Sequence, residues 1–195
     1  MFEDLEEYAK RERVPIMLPD GINYLCNYIK ENNIKDILEI GSAIGYSALR
    51  MSYVDDSIKI TTIEKDETRY NEAVKNIKAY HKEENINIIL GDALETEIKG
   101  MYDLIFIDAS KGHNIDFFNK YKNNLKENGA IITDNLSFHG LVEDASLIQT
   151  KNQRGIVNKI KLFLDFLENN KEFNTEYIPV GDRISISKRN NSQNN

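Results

Sequence analysis

The feature that most constrains this chain is an alternation. Five short apolar runs, "KDILEIG" (35–41), "IKITTIE" (58–64), "INIILGD" (86–92), "YDLIFID" (102–108) and "GAIITDN" (129–135), are rich in isoleucine and end on a glycine, a carboxylate or an amide. Runs of this length and composition suit strands buried on both faces. Stretches of helical periodicity lie between most of them: "YSALRMSYV", a long run from about Glu67 to Lys82, and "IDFFNKYKNNLK", whose stripe is Ile115, Phe118, Tyr121 and Leu125. A further helix near 152–170 carries Ile156, Ile160, Phe163, Leu164 and Leu167. Two helical stretches precede the first strand, the second with Asp20 as its expected N-cap and Ile22, Leu25, Cys26 and Ile29 on one face. Strands alternating with helices predict an α/β fold, a doubly wound, mostly parallel sheet with helices on both faces. The run "EYIPVGDRISISK" breaks the alternation and predicts an antiparallel C-terminal hairpin, for seven strands in all.

In such a sheet the parallel strands point their C-terminal ends to one edge, and ligands bind there, where the strand order reverses. Residues remote in sequence meet if each ends a strand. Gly41, Glu64, Asp92, Asp108, Asp134 and Asn135 all do. Any one of these acids alone is an ordinary turn residue. Together, in register with a glycine loop, they predict a site.

The loop "EIGSAIGYS" (39–47) has Gly41 and Gly45 but Ala43 at the middle position. A dinucleotide site uses a glycine there to admit a pyrophosphate, so a nicotinamide-dependent reductase is the weakest reading. Glu64, closing the second strand, is placed to accept from ribose hydroxyls, and Asp92 to face an adenine. The pattern predicts an adenosine without a pyrophosphate. Asp108, Asp134 and Asn135 offer two carboxylates and an amide oxygen, hard ligands suited to Mg²⁺, Mn²⁺ or Ca²⁺. Buried acids this close repel unless a cation lies between them. Lys111, three residues after Asp108, is placed to act as a base once a nearby cation and partial burial lower its affinity for protons. His113 and His139 lie on loops near the same edge; loop polarity is the simpler reading of each, and contact with substrate the alternative.

The motifs "ILEIGSAIGYSALRM", "TIEKD", "GDALE", "IFIDASKGH", "IITDNLSFHGLV" and "IPVGDRISISK" follow one another in the order of a known family. The chain resembles the cation-dependent class I S-adenosylmethionine O-methyltransferases, which include catechol and caffeoyl-CoA enzymes. Within them, "YAKRERVPIM", "IGYSALRM" and "IPVGDRISISK" look most like the bacterial tRNA 5-hydroxyuridine methyltransferases. The resemblance implies a Rossmann-like methyltransferase fold and an S-adenosylmethionine pocket lined by Met17, Gly41 and Ser47. It places Glu64 at the ribose, Asp92 and Ala93 at the adenine, and Asp108 between cofactor and metal. It gives Lys111 a catalytic role beside Asp108, and it implies a homodimer. Related chains often carry an extra helix before the "LEEYAK" segment; this sequence begins almost inside it.

A cation that chelates two adjacent substrate oxygens lowers the hydroxyl pKa and fixes its approach. Both a catechol and 5-hydroxyuridine offer such a pair, so metal chemistry alone does not choose between them. The narrower resemblance points to the wobble 5-hydroxyuridine of a tRNA anticodon, giving 5-methoxyuridine, with a small phenol as the alternative. The net charge of −7 argues against a generally nucleic-acid-coating surface. "KNQRGIVNKIK" (151–161), however, holds Lys151, Arg154, Lys159 and Lys161 and no acid. It reads as a solvated helix face on its own, and as a tRNA-backbone contact in light of the resemblance. A non-catalytic RNA-binding sensor is a third reading, opposed by the intact Asp108, Lys111, Asp134 and Asn135 set.

At 195 residues, 41% hydrophobic and 29% charged, the chain reads as one globular domain over 1–195, with a polar, disordered tail from about 190. "MFEDLEEYAKRER" lacks the apolar core of a secretory signal, no run is long enough to span a bilayer, and Cys26 is the only cysteine. These point to a reducing cytoplasm and no membrane partner.

Overall fold

The computed structural model describes residues 1–190; 191–195, most of the expected tail, lie outside the described residues. Helices α1 (Glu3–Glu12) and α2 (Pro19–Glu31) precede β1 (Asp36–Ile40), α3 (Tyr46–Ser52), β2 (Lys59–Glu64), α4 (Glu67–Ala79) and β3 (Ile86–Leu90). Then come β4 (Tyr102–Ile107), α5 (Asn114–Tyr121), β5 (Leu125–Thr133), α6 (Lys151–Glu168) and the hairpin β6 (Phe173–Ile178) and β7 (Ile184–Arg189). The seven strands form one sheet in the order β3-β2-β1-β4-β5-β7-β6. β1 to β5 pair in parallel, and β7 runs antiparallel to both β5 and β6. This is the Rossmann-like arrangement expected, with its order reversing between β1 and β4. No helix among the described residues is long and apolar enough to cross a membrane.

The central strands feed two cores because successive side chains point to opposite faces. Leu104 and Phe106 of β4 join Ile37, Ile132 and the inward faces of α1, α2 and α3. Ile105 and Ile107 join Leu38, Ile40, Ile131 and the inward faces of α5 and α6. Burial on both faces is why these strands read as unbroken apolar runs.

Three local expectations are corrected. Leu18, not Asp20, is the N-cap of α2, because Pro19 takes the first helical position, where its missing N–H costs nothing. α4 stops at Ala79 rather than Lys82: His81 turns left-handed, with φ 54°, and directs the Lys82 ammonium over the Tyr53 ring. α5 ends at Tyr121, and Leu125, expected on its stripe, opens β5 after a 3₁₀ turn. Helical spacing alone did not reveal that exit.

Candidate functional site

The loops after β1, β2, β3, β4 and β5 surround a cavity of about 730 Å³. Met17, Gly41, Ser47, Glu64, Asp92 and Ala93 all line it, as do Asp108, Lys111, Asp134 and Asn135. The topology thus brings together every residue expected at the site from the sequence, apart from the basic stretch.

Gly41 adopts φ 94°, and a Cβ on it would sit 2.6 Å from the Asp108 carbonyl oxygen. The first loop can therefore lie against the end of β4 only because this residue has no side chain. The Gly41 N–H donates to Ile63 O (2.9 Å) and the Asp108 N–H to Ile40 O (3.0 Å), tying three strand ends together. Ala43 is left-handed, at φ 46°. Its N–H donates to Glu64 Oε2 at 2.8 Å, and the Asp66 N–H donates to Oε1 at 2.8 Å. Glu64 thus fastens the glycine loop to β2 as well as facing the cavity.

The Ser47 hydroxyl donates to Glu39 Oε1 and Thr62 to Oε2, each at 2.5 Å. Sequence reasoning gave Glu39 no role, although a carboxylate inside "DILEIG" was a visible signal. It is fully buried, and burial pushes its pKa up to about 7; the two hydroxyls oppose the rise, and Asp108 and Glu64 add to it. Relative to an unfolded value near 4.3, the folded chain binds the extra proton between about pH 4.5 and 7. Stability due to Glu39 is therefore full below that window and declines as pH rises through it. Glu39→Gln should flatten this part of the profile and stabilise the protein at pH 8 by on the order of 3 kcal/mol relative to the parent chain. Urea melts of both chains from pH 4.5 to 8 check this, and parallel profiles would refute it.

At the β3 end of the cavity, Asp92 accepts the Leu94 N–H at Oδ1 (2.9 Å) and the Lys65 ammonium at Oδ2 (2.7 Å). These contacts hold its carboxyl below the ordinary range. The Ala93 carbonyl accepts the buried Tyr121 hydroxyl at 2.6 Å. His113 also lines the cavity, and its Nδ1 lies 3.0 Å from Asp116 Oδ2. His139 does not line the cavity; its backbone N–H donates to Asp182 Oδ1 at 2.7 Å. The two loop histidines thus serve different regions, which sequence proximity to the edge could not separate.

At the β4–β5 end, the Lys111 ammonium donates to Asp108 Oδ1 (2.9 Å) and toward Asp134 O (3.4 Å). Asp134 is 4% exposed, and burial first, then the charge of Asp108, pushes its carboxyl well above the ordinary carboxylate range, opposed by Lys111. Asp134 Oδ1 and Asn135 Oδ1 are buried without any hydrogen-bond partner. Unpartnered buried oxygens are costly, and two of them at adjacent strand-end residues beside Asp108 suit a hard cation. Among the described residues no cluster of three or more His, Cys, Asp or Glu forms a metal site; the donor set here is two acids and an amide.

Lys151, Arg154, Lys159 and Lys161 are exposed on α6. At about 100° per residue, Arg154 and Lys161 flank one side of the buried Val157–Ile160–Phe163 stripe, and Lys159 the other. Lys159 Nζ lies 2.9 Å from where a Cβ on Gly112 would sit. It therefore lies against the 3₁₀ turn that carries Lys111.

The family model for O-methyltransferases matches residues 1–190. A caffeoyl-CoA O-methyltransferase of Stellaria longipes is 28% identical over 80% of this chain and 68% of its own length. The tapetum-specific methyltransferase 1 of Arabidopsis thaliana is 25% identical over 95% of this chain and 82% of its own. A Staphylococcus aureus structure, provisionally named a caffeoyl-CoA O-methyltransferase, superposes with a TM-score of 0.92 at 37% identity, covering 97% of this chain and 92% of that one. A Bacillus cereus O-methyltransferase solved with SAH shares the fold, with a TM-score of 0.82 at 22% identity over 97% of this chain and 90% of that one.

Proposed function

The chain belongs to the O-methyltransferase family, and from that premise we propose that it transfers the methyl group of S-adenosylmethionine to a hydroxyl held at a divalent-cation site. The observation that carries this reading is the pair of buried, unpartnered oxygens on Asp134 and Asn135 beside Asp108. The cavity supports the cofactor assignment: its glycine loop, Glu64 and the Asp92–Ala93 corner suit an adenosine. Asp108, Asp134 and Asn135 would hold the cation. That ion would supply Lewis-acid polarisation of two vicinal substrate oxygens.

The chain's own groups orient and deprotonate. Asp108 holds the Lys111 ammonium at the β4 end of the cavity. Lys111 Nζ is the atom assigned to take the hydroxyl proton, for which it must leave Asp108 in its neutral form. Met17, buried over Gly21, and Phe117 wall the cavity and limit water there.

For the acceptor we propose the 5-hydroxyl of tRNA 5-hydroxyuridine, whose O4 and O5 form a vicinal pair. The exposed α6 cations support it, with Lys159 lying against the loop of the proposed base. A small phenol is the second reading, favoured by the caffeoyl-CoA enzymes among the relatives. Methyl transfer from labelled S-adenosylmethionine should be measured on tRNA carrying 5-hydroxyuridine and on a simple catechol, each with Mg²⁺ and with a chelator. Chelator-sensitive label on the tRNA nucleoside is expected. Label on the catechol alone would transfer the same site to small-molecule chemistry, and label indifferent to chelator would remove the cation from the reaction.

A further inference from the structure

The turn of the C-terminal hairpin reaches the loop that follows β5. Asp182, in that turn, is 6% exposed. Its Oδ1 accepts the His139 N–H at 2.7 Å. Its carbonyl accepts the Ser137 N–H at 2.9 Å, and the carbonyl of Arg183 accepts the Leu136 N–H at 3.0 Å. Three backbone donors of the loop 136–139 are therefore bound by two adjacent residues of the hairpin.

That loop needs such support. Asn135, Phe138 and His139 are left-handed, at φ 67°, 50° and 58°, a region that glycine enters without steric cost. Non-glycine residues there cost on the order of 1 kcal/mol or more each, and persist only where surrounding contacts fix them. The left-handed turn at Asn135 sets the direction of its side chain, whose Oδ1 has no partner.

Asp182 also keeps a carboxylate oxygen in reserve. Oδ2 is buried and unpartnered, with the His139 Nδ1 3.7 Å away. Burial raises the proton affinity of the Asp182 carboxyl, opposed by the His139 N–H and by the charge of Lys111, and its own negative charge adds to the rise at Asp134. A hairpin needs no buried acid in its turn; an aspartate that ties the turn to a second, left-handed loop does more than close the turn.

We propose that Asp182 is a positioning residue for the cation site: it pins the left-handed loop that aims Asn135, and its charge strengthens the hold of Asp134 on a divalent ion. The proposal rests on the cation reading above, and acts through Asn135 and Asp134 without ligation by Asp182 itself. It predicts a loss in metal affinity that leaves the adenosine end of the cavity untouched. Loss of an outer-shell partner typically weakens metal binding by about 10–100-fold.

The test is Mn²⁺ binding to the protein alone, followed by electron paramagnetic resonance, with S-adenosylmethionine affinity and melting temperature measured in parallel. Asp182→Ala should weaken Mn²⁺ binding at least about tenfold. Asp182→Asn keeps the acceptor oxygen and the volume but not the charge, and should give a smaller, severalfold loss. S-adenosylmethionine affinity should hold within twofold in both. If Asp182→Ala does not fold, Asp182→Asn decides alone. Unchanged Mn²⁺ affinity in Asp182→Asn and in folded Asp182→Ala would overturn this inference and leave the cation reading standing. Parallel loss of Mn²⁺ and S-adenosylmethionine binding would reduce Asp182 to a general structural role. No Mn²⁺ binding by the unaltered chain would overturn both.

Discussion

Gly41→Ala is expected to lower stability by roughly 3 kcal/mol and to abolish S-adenosylmethionine binding. Two costs combine. An alanine at φ 94° is strained, by about 1–2 kcal/mol for an ordinary left-handed residue. Its methyl would also lie 2.6 Å from the Asp108 carbonyl and 3.0 Å from the Ala109 Cα, backbone atoms of a central strand's end with no rotamer to yield. Overpacking of that kind costs a further 1–3 kcal/mol or so. Relief requires the β1 loop and the end of β4 to separate, which opens the cavity between them. Gly155→Ala is the internal control: a Cβ there meets nothing within 4 Å, and the residue lies inside α6. That change should stabilise by up to about 1 kcal/mol through helix propensity. Urea denaturation and calorimetric titration with S-adenosylmethionine measure both variants. Native-like binding by Gly41→Ala would show that the two loops are not held together as described.

Asp134→Ala is expected to reduce methyl transfer by more than about a hundredfold, beyond the ten- to hundredfold loss of an outer-shell partner, while S-adenosylmethionine affinity stays within a few-fold. The carboxylate is buried, lacks a partner at Oδ1, and carries a raised proton affinity caused first by burial and then by Asp108. Glu39 and Glu64, by contrast, are matched by a donor at both oxygens. Because the free side chain is poorly accommodated without a cation, the alanine variant should melt no lower than the parent chain in the presence of a chelator. Activity, affinity and melting temperature together separate the alternatives. Full turnover would remove Asp134 from the reaction, and a melting point lowered under chelation would make it a structural residue.

The site was legible to different degrees, for identifiable reasons. Asp108, Asp134 and Asn135 were readable because a parallel sheet gathers its strand ends at one edge, so order along the chain is enough to predict proximity. Glu64 was readable as a strand-end acid, but not as the fastener of Ala43 and Asp66. Those backbone N–H groups belong to a loop whose path depends on packing. Ser47 was placed by resemblance, yet its proton is committed to Glu39, whose importance comes from complete burial. Asp182 passed for a hairpin turn residue because its side-chain partner, His139, is 43 positions away and no periodicity links them. The α6 cations shared a run in sequence, while the helix turns Lys159 to one flank and Arg154 and Lys161 to the other.

What the amino-acid sequence determined by itself was the alternation of buried strands with helices, and from it the edge at which a ligand binds. That information is local, since apolar period and breaker residues act over neighbouring positions. Only the tertiary structure decided which polar atoms are left without partners there, and which remote carboxylate braces them. Those outcomes depend on burial, on the close approach that Gly41 permits, and on a hairpin folding back across the sheet.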